Sequence, residues 1–139
     1  DVTSVDGSAE IAAWASAYTG HSVAVKSFQE IDYKEEFDGV WASASLLHCH
    51  QGQLQDAIHR ILESLKGAAV GYMSFKWGDA SSVDDRGRHF TNQTTQSLRE
   101  LLEKQESAEI LDIWDSEMIL RGQPQKWVYA LIRRRGDRV

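Results

Sequence analysis

The sequence predicts an open α/β sheet flanked by helices and finished by an antiparallel strand. Three observations predict it. Short apolar runs alternate with stretches whose apolar residues recur at helical spacing, as in parallel strands joined by crossover helices. Most of the strand-like runs are apolar on successive rather than alternate residues, as strands covered on both faces require. The last two runs leave no room for a crossover helix between them, so that pair is expected to be antiparallel.

Residues 2–5 read as the first strand, and Asp6-Gly7-Ser8 as a tight turn. Ser8 is placed as a helix N-cap, and Glu10 suits the positive end of the first turn. Ile11, Trp14, Ala15 and Tyr18 then form a helical stripe that Gly20 stops. Residues 23–26 make a second short strand, followed by Gln29-Glu30 and a charged loop, and residues 37–43 make the third. Leu54, Ile58, Ile61, Leu62 and Leu65 mark a second helix ending at Gly67, before a fourth strand at 68–75. Residues 76–93 carry Gly, Asp, Ser and Arg without periodicity, a long loop of the kind that often holds function. Thr94 or Thr95 caps a third helix through Leu98, Leu101 and Leu102. The fifth and sixth strands, 110–114 and 127–132, are separated by a loop with Gly and Pro.

At 139 residues the chain is expected to be one domain, and its 42% hydrophobic and 26% charged residues exclude disordered and fibrous classes. No apolar run approaches the roughly 20 residues of a membrane-spanning helix, so no membrane association is expected. The lone Cys49 excludes an internal disulfide and suits a reducing compartment, so the cytoplasm is expected. Residues 1–70 hold ten acids and four Lys/Arg, whereas 71–139 hold eleven of each. No basic face for nucleic acid results; Arg133, Arg134, Arg135 and Arg138 read as a solvated tail. Of the five tryptophans, Trp14, Trp41, Trp114 and Trp127 are expected in the core or at its rim, and Trp77 in the loop where a substrate would enter.

Ligands of open parallel sheets sit beyond the carboxyl ends of the strands. After the first strand, Asp6 stands where a carboxylate can accept hydrogen bonds from both ribose hydroxyls, or it stabilises the Gly7 turn. Gln29 and Glu30 follow the second strand and can read an adenine edge; Ser43 to His48 follow the third. His48, Cys49, His50 and His59 are metal-ligand types, but their spacing does not close a tetrahedron, and no metal is expected. Cys49 reads as a small buried hydrophobe rather than a nucleophile. Arg86 and Arg88, on either side of Gly87, either clamp an anionic substrate or form a solvated turn with Asp84 and Asp85.

The run Val5-Asp6-Gly7-Ser8, then Phe28-Gln29-Glu30-Ile31-Asp32, then Phe37 through His48, resembles the class I S-adenosylmethionine-dependent methyltransferases. So do Leu65-Lys66-Gly67, Tyr72 through Lys76, Asp85 through Phe90, and the closing Trp127 through Ile132. The chain looks most like the small bacterial enzymes of the tellurite-resistance and small-molecule methyltransferase type. The resemblance implies a Rossmann-like sheet and S-adenosylmethionine as cofactor, held by Asp6, Gly7, Ser8, Gln29, Glu30, Ala42 and Ser43. It implies a small-molecule acceptor near Trp77, Arg86 and Arg88, and His48 facing the transferring methyl group as the catalytic residue, unless that histidine serves the core or caps a helix.

The sequence departs from the family in three places. No GxGxG turn occurs in it, so the family's first βα unit is expected to be missing, and with it the backbone that meets the methionine end of the cofactor. His48-Cys49-His50-Gln51 stands where relatives usually have His-Val-Pro, and Leu65-Lys66-Gly67-Ala68-Ala69 where they have Leu-Lys-Pro-Gly-Gly. Methyl transfer is therefore expected to be impaired in this truncated form. The first strand is expected to close onto the third, or two chains to complete each other's sheet as a homodimer. The alternative function is a non-catalytic interaction or assembly domain derived from the same fold.

Overall fold

The computed structural model describes residues 1–136; the predicted tail residue Arg138 lies outside them. A first unit consists of β1 (Ser4–Asp6), α1 (Ala9–Thr19) and β2 (Val23–Val25), with β1 and β2 parallel. Next come β3 (Phe37–Ala42), α2 (Gln51–Ser64) and β4 (Leu65–Lys76), with β3 parallel to β4. A two-stranded ribbon, β5 (Ser82–Val83) and β6 (His89–Phe90), stands inside the loop expected to be structureless. The chain continues through α3 (Thr95–Glu103), β7 (Ala108–Leu120) and β8 (Gln123–Arg134). The four-stranded sheet runs β3-β4-β8-β7, and β8 is antiparallel to both neighbours. The last pair is thus antiparallel as expected, but longer. Arg121 and Gly122, both at positive φ (52° and 76°), turn a hairpin whose rails extend well beyond the predicted strands.

The predicted single sheet is divided. Among the described residues β1 pairs only with β2, and β3 only with β4, so the first strand does not close onto the third. The first unit instead meets the rest through the segment after β2. Gln29 donates to the Gln53 carbonyl (3.4 Å) and Arg60 of α2 donates to the Ile31 carbonyl (2.9 Å).

The core lies between one face of the larger sheet and the apolar stripes of α2 and α3. Leu54, Ile58 and Leu62 of α2, and Leu98 and Leu102 of α3, pack with Met73 and Phe75 of β4 and Val128, Ala130 and Ile132 of β8. The sheet's other side carries an aromatic row. Trp41 stacks on Tyr72 (4.1 Å between centroids), Tyr72 leans on Tyr129 (6.4 Å), and Tyr129 stacks on Trp114 (5.3 Å).

Four expectations are corrected. The second helix ends at Ser64, not Gly67: Leu65 is extended (φ −82°, ψ 141°), pairs with Phe37 and buries its side chain as the first residue of β4. Arg134 is not a solvated tail residue; only 8% exposed, it donates to the Glu63 and Leu65 carbonyls and pairs with Glu63 (3.7 Å), clamping the end of α2 to the start of β4. The predicted stripe of α1 faces outward, with Trp14 67% exposed and stacked on Tyr18, while only Ala12 is buried. The reason is close approach: Ala12 and Ser16 turn toward the strands, and Ser16 Oγ accepts the Val23 amide (2.9 Å), a contact large side chains would block. Finally, Trp41 is 74% exposed instead of buried, because it sits on the sheet face opposite α2 and α3. Trp14 and Trp114 are exposed too, and Trp127 alone packs against the core as expected.

No described helix is long and apolar enough to cross a membrane.

Candidate active site

The carboxyl ends of β1 to β4 meet at one rim. The Lys26 amide donates to the Asp6 carbonyl (3.0 Å), joining the ends of β1 and β2. The Gln29 to Gln53 bond joins the segment after β2 to the one after β3. The Ala44 amide donates to Ser74 Oγ (2.8 Å), joining the ends of β3 and β4. Ala44 stands at φ 50°, the left-handed turn that lifts the chain off β3 into the 3₁₀ turn Leu46–His48.

Asp6 Oδ1 accepts the Ser8 amide (2.8 Å), and Ser8 Oγ accepts the Ile11 amide (3.3 Å), so both side chains serve the turn into α1. Oδ2 of Asp6 has no hydrogen-bond partner among the described residues, leaving one carboxylate oxygen for a ligand. Gly7 approaches the backbone of Lys26 and Ser27 at the same rim. Glu30 is exposed, and its Oε1 accepts the Ser27 amide (3.0 Å). The Ser27 backbone and then side-chain hydrogen bonds hold it below the usual carboxylate range. Ala42 is buried in the core and offers only backbone, whereas Ser43 is exposed.

His48 is exposed at the end of its turn, its ring 4.9 Å from that of Phe90. Its Nδ1 lies 3.1 Å from the His89 carbonyl; a carbonyl only accepts, so Nδ1 donates, and Nε2 has no hydrogen-bond partner among the described residues. The β6 segment fixes this arrangement. The Thr91 amide donates to the Leu47 carbonyl (2.7 Å) and its hydroxyl to the Cys49 carbonyl (2.6 Å), which leaves Thr91 Oγ1 to accept from His89 Nε2 (3.3 Å). Cys49 is buried, and burial pushes its thiol up, away from the thiolate a nucleophile needs. Among the described residues no three His, Cys, Asp or Glu side chains are placed to hold a metal ion.

The two loop arginines part company. Asp84 accepts the Arg86 and Arg88 amides (3.0 and 2.8 Å) and Arg88 Nε (2.7 Å), so Arg88 is a member of the turn. Burial works against that carboxylate, but hydrogen bonds from the Arg88 backbone and side chain and the Arg86 backbone hold it below its ordinary value. The Arg86 side chain is exposed and, among the described residues, makes no ion pair. Trp77 is 43% exposed, with Lys126 Nζ 4.7 Å over its ring.

By sequence, no family model and no curated protein matches the chain. Solved structures do match. An S-adenosylmethionine-dependent methyltransferase of Methanosarcina mazei superposes at a TM-score of 0.83 with 15% identity, over 98% of this chain and 82% of the other. The fold is the methyltransferase fold. A 1,6-didemethyltoxoflavin N1-methyltransferase of Burkholderia thailandensis, solved with S-adenosylhomocysteine and its substrate, matches at 0.75 with 20% identity, over 96% of this chain and 61% of its own. The cyclase SpnF matches at 0.71 with 18% identity, over 99% of this chain and 67% of its own, so one fold serves more than one reaction.

Sequence reasoning thus placed Asp6, Gly7, Ser8, Gln29, Ser43 and His48 on one rim. It missed Lys76, Ser74 and Thr91, because each lies inside or beside a strand where nothing in the local pattern distinguishes a rim residue from a core one. Two concavities of about 360 and 380 Å³ lie elsewhere, one beside β7 at Ile113–Asp115 and one between α3 and the residues near Asn92. Neither includes His48.

Proposed function

We propose that this chain binds S-adenosylmethionine at the shared rim of β1 to β4 and transfers a methyl group to a small-molecule acceptor, as the small bacterial methyltransferases it resembles do. The observation that carries the reading is His48: its Nδ1 is tied to a backbone carbonyl and its Nε2 is free, at the rim that also holds Asp6, Gln29 and Ser43. When bound, S-adenosylmethionine supplies a methyl group already activated by the sulfonium charge. The residues here fit its nucleoside end: Asp6 Oδ2 is open to the ribose hydroxyls, and Gln29 follows β2, the strand paired with β1. No glycine-rich turn stands among residues 1–139 to meet the methionine end, so weak binding is expected. His48 then orients the acceptor or takes its proton, and Trp77 and Arg86 border the acceptor's entry.

Titration with S-adenosylhomocysteine, followed by amide NMR, tests this. Shifts are expected at residues 6–8, 29 and 43, with a dissociation constant above the micromolar range and at least a tenfold loss in Asp6→Ala, the worth of charge-assisted hydrogen bonds. Shifts confined to other surfaces, or an affinity indifferent to Asp6→Ala, would overturn the assignment. His48→Ala is expected to leave that affinity unchanged while lowering turnover about a hundredfold.

A second reading, a non-catalytic assembly domain whose partner is a second copy of the chain, is favoured by one observation. Among the described residues the outer edges of β1 and β3 are unpaired, and the face of the sheet containing β3 carries the exposed Trp41 and Trp114. Sedimentation showing a monomer at every concentration up to the millimolar range would dismiss it.

A further inference from the structure

Lys76 is the last residue of β4 and is half-buried at the rim. Its Nζ lies 4.2 Å over the ring of Phe90, the same ring that His48 contacts at 4.9 Å. Phe90 is itself only 4% exposed, and it is anchored because Thr91 is bonded to Leu47 and Cys49. One anchored ring is therefore touched by both an ammonium and an imidazole.

Two other cations stand nearby, and both have carboxylates. Arg88, its Cζ 5.5 Å from the Phe90 centroid, is bonded to Asp84, and Lys126, over Trp77, faces Asp115 at 3.9 Å. Lys76, among the described residues, has no ion pair and no hydrogen-bond acceptor for any of its three N–H groups. A cation over an aromatic face gains from the ring, but the ring satisfies none of those donors. A half-buried ammonium with donors to spare is a group positioned for an anion.

We propose that the methyl acceptor carries an anionic group, a carboxylate or a phosphate, and that Lys76 binds it beside His48. The inference rests on the methyl-transfer reading and names its substrate class. The sequence suggested Arg86 and Arg88 for an anionic substrate; Nε of Arg88 is bonded to Asp84. Lys76 is a specificity residue here: its charge fixes which end of the acceptor lies against Phe90, and so which nucleophilic atom reaches His48.

The experiment uses three probes of one shape, benzoate, phenyl phosphate and benzyl alcohol, titrated against the whole chain and followed by amide NMR at Ala44, His48, Trp77 and Phe90. The wild type is expected to bind the two anions with shifts at these residues, the tighter one identifying carboxylate or phosphate as the natural group. Lys76→Gln should weaken both about tenfold, Lys76→Arg should restore most of the loss, and Arg88→Gln should change it less than twofold. Equal anion affinity in wild type and Lys76→Gln overturns the proposal. So does benzyl alcohol losing as much affinity as the anions, since the site would then read shape and not charge. The S-adenosylhomocysteine titration is run on the same Lys76→Gln protein. Because that binding depends on Asp6 and not on Lys76, a failure there counts against the cofactor reading alone.

Discussion

In the four-stranded sheet, α2 and α3 bury nearly every large apolar side chain that faces them; in the β1–α1–β2 unit only Ala12 of the helix is buried, and Ile11, Trp14 and Tyr18 stand in solvent. Local propensity does not separate the two regions. Both have capped helices, Ser8 for α1 and Thr94 for α3, and both pair their strands by backbone hydrogen bonds, the larger sheet with register shifts at Phe37/Gly39 and Ile110/Asp112. What differs is the surface available to each helix. α2 and α3 lie against long strands that present Met73, Phe75, Val128 and Ile132, whereas α1 meets two strands of three residues and docks by its small face. Stability should accordingly be concentrated in the larger sheet, and α1 should tolerate change.

The comparison breaks if mutations do not follow that division. Phe75→Ala, at a fully buried centre, is expected to destabilise by about 3–5 kcal/mol in denaturant unfolding, the usual cost of emptying an aromatic site. Arg134→Met keeps the aliphatic stem but strips the donor from the Glu63 and Leu65 carbonyls. A loss of about 2–3 kcal/mol is expected, and a neutral result would mean those carbonyls find water instead.

A smaller effect should appear in the loop. Asp84 has a lower pKa in the folded chain than when unfolded, so the unfolded state takes up the proton first. Its contribution is present above the ordinary carboxylate pKa and is lost as pH falls through the lowered folded value. Exchange protection of the Arg86 and Arg88 amides should hold at neutral pH and fade only below about pH 4; fading already near pH 5.5 would show the carboxylate is not held. The smallest effect is expected from Trp14→Ser, within about 0.5 kcal/mol by the same unfolding measurement. A loss of several kcal/mol there would erase the distinction between the two regions.

The aromatic residues show where legibility stopped. Trp14, Trp41 and Trp114 carry the strongest apolar signal in their segments, and all three are exposed. Period and hydrophobicity identify an apolar side, but not whether another element covers it. The end of α2 failed for a related reason: Leu65 continues the helical stripe by spacing, yet pairing with Phe37 and the Arg134 clamp recruit it into β4. At the rim, Asp6, Ser8 and His48 were legible because turns and strand ends announce themselves by residue type. Lys76 was not, since its meaning depends on Phe90, fourteen residues onward.

The sequence by itself determined the order of the three helices and of the six strands outside the 76–93 loop, the antiparallel final pair, the cap at Ser8, the capped start of α3 at Thr94 or Thr95, and which strand ends carry polar side chains. These depend on neighbours a few residues apart, where steric and hydrogen-bonding rules act directly. Only the tertiary structure decided that β1–β2 stands apart from β3–β4–β8–β7, that Arg134 is a buried clamp, that Arg88 belongs to Asp84, and that His48 and Lys76 share the ring of Phe90. Each of those outcomes brings together groups distant in the chain or chooses among competing partners, and that choice is made by packing and desolvation over the whole molecule.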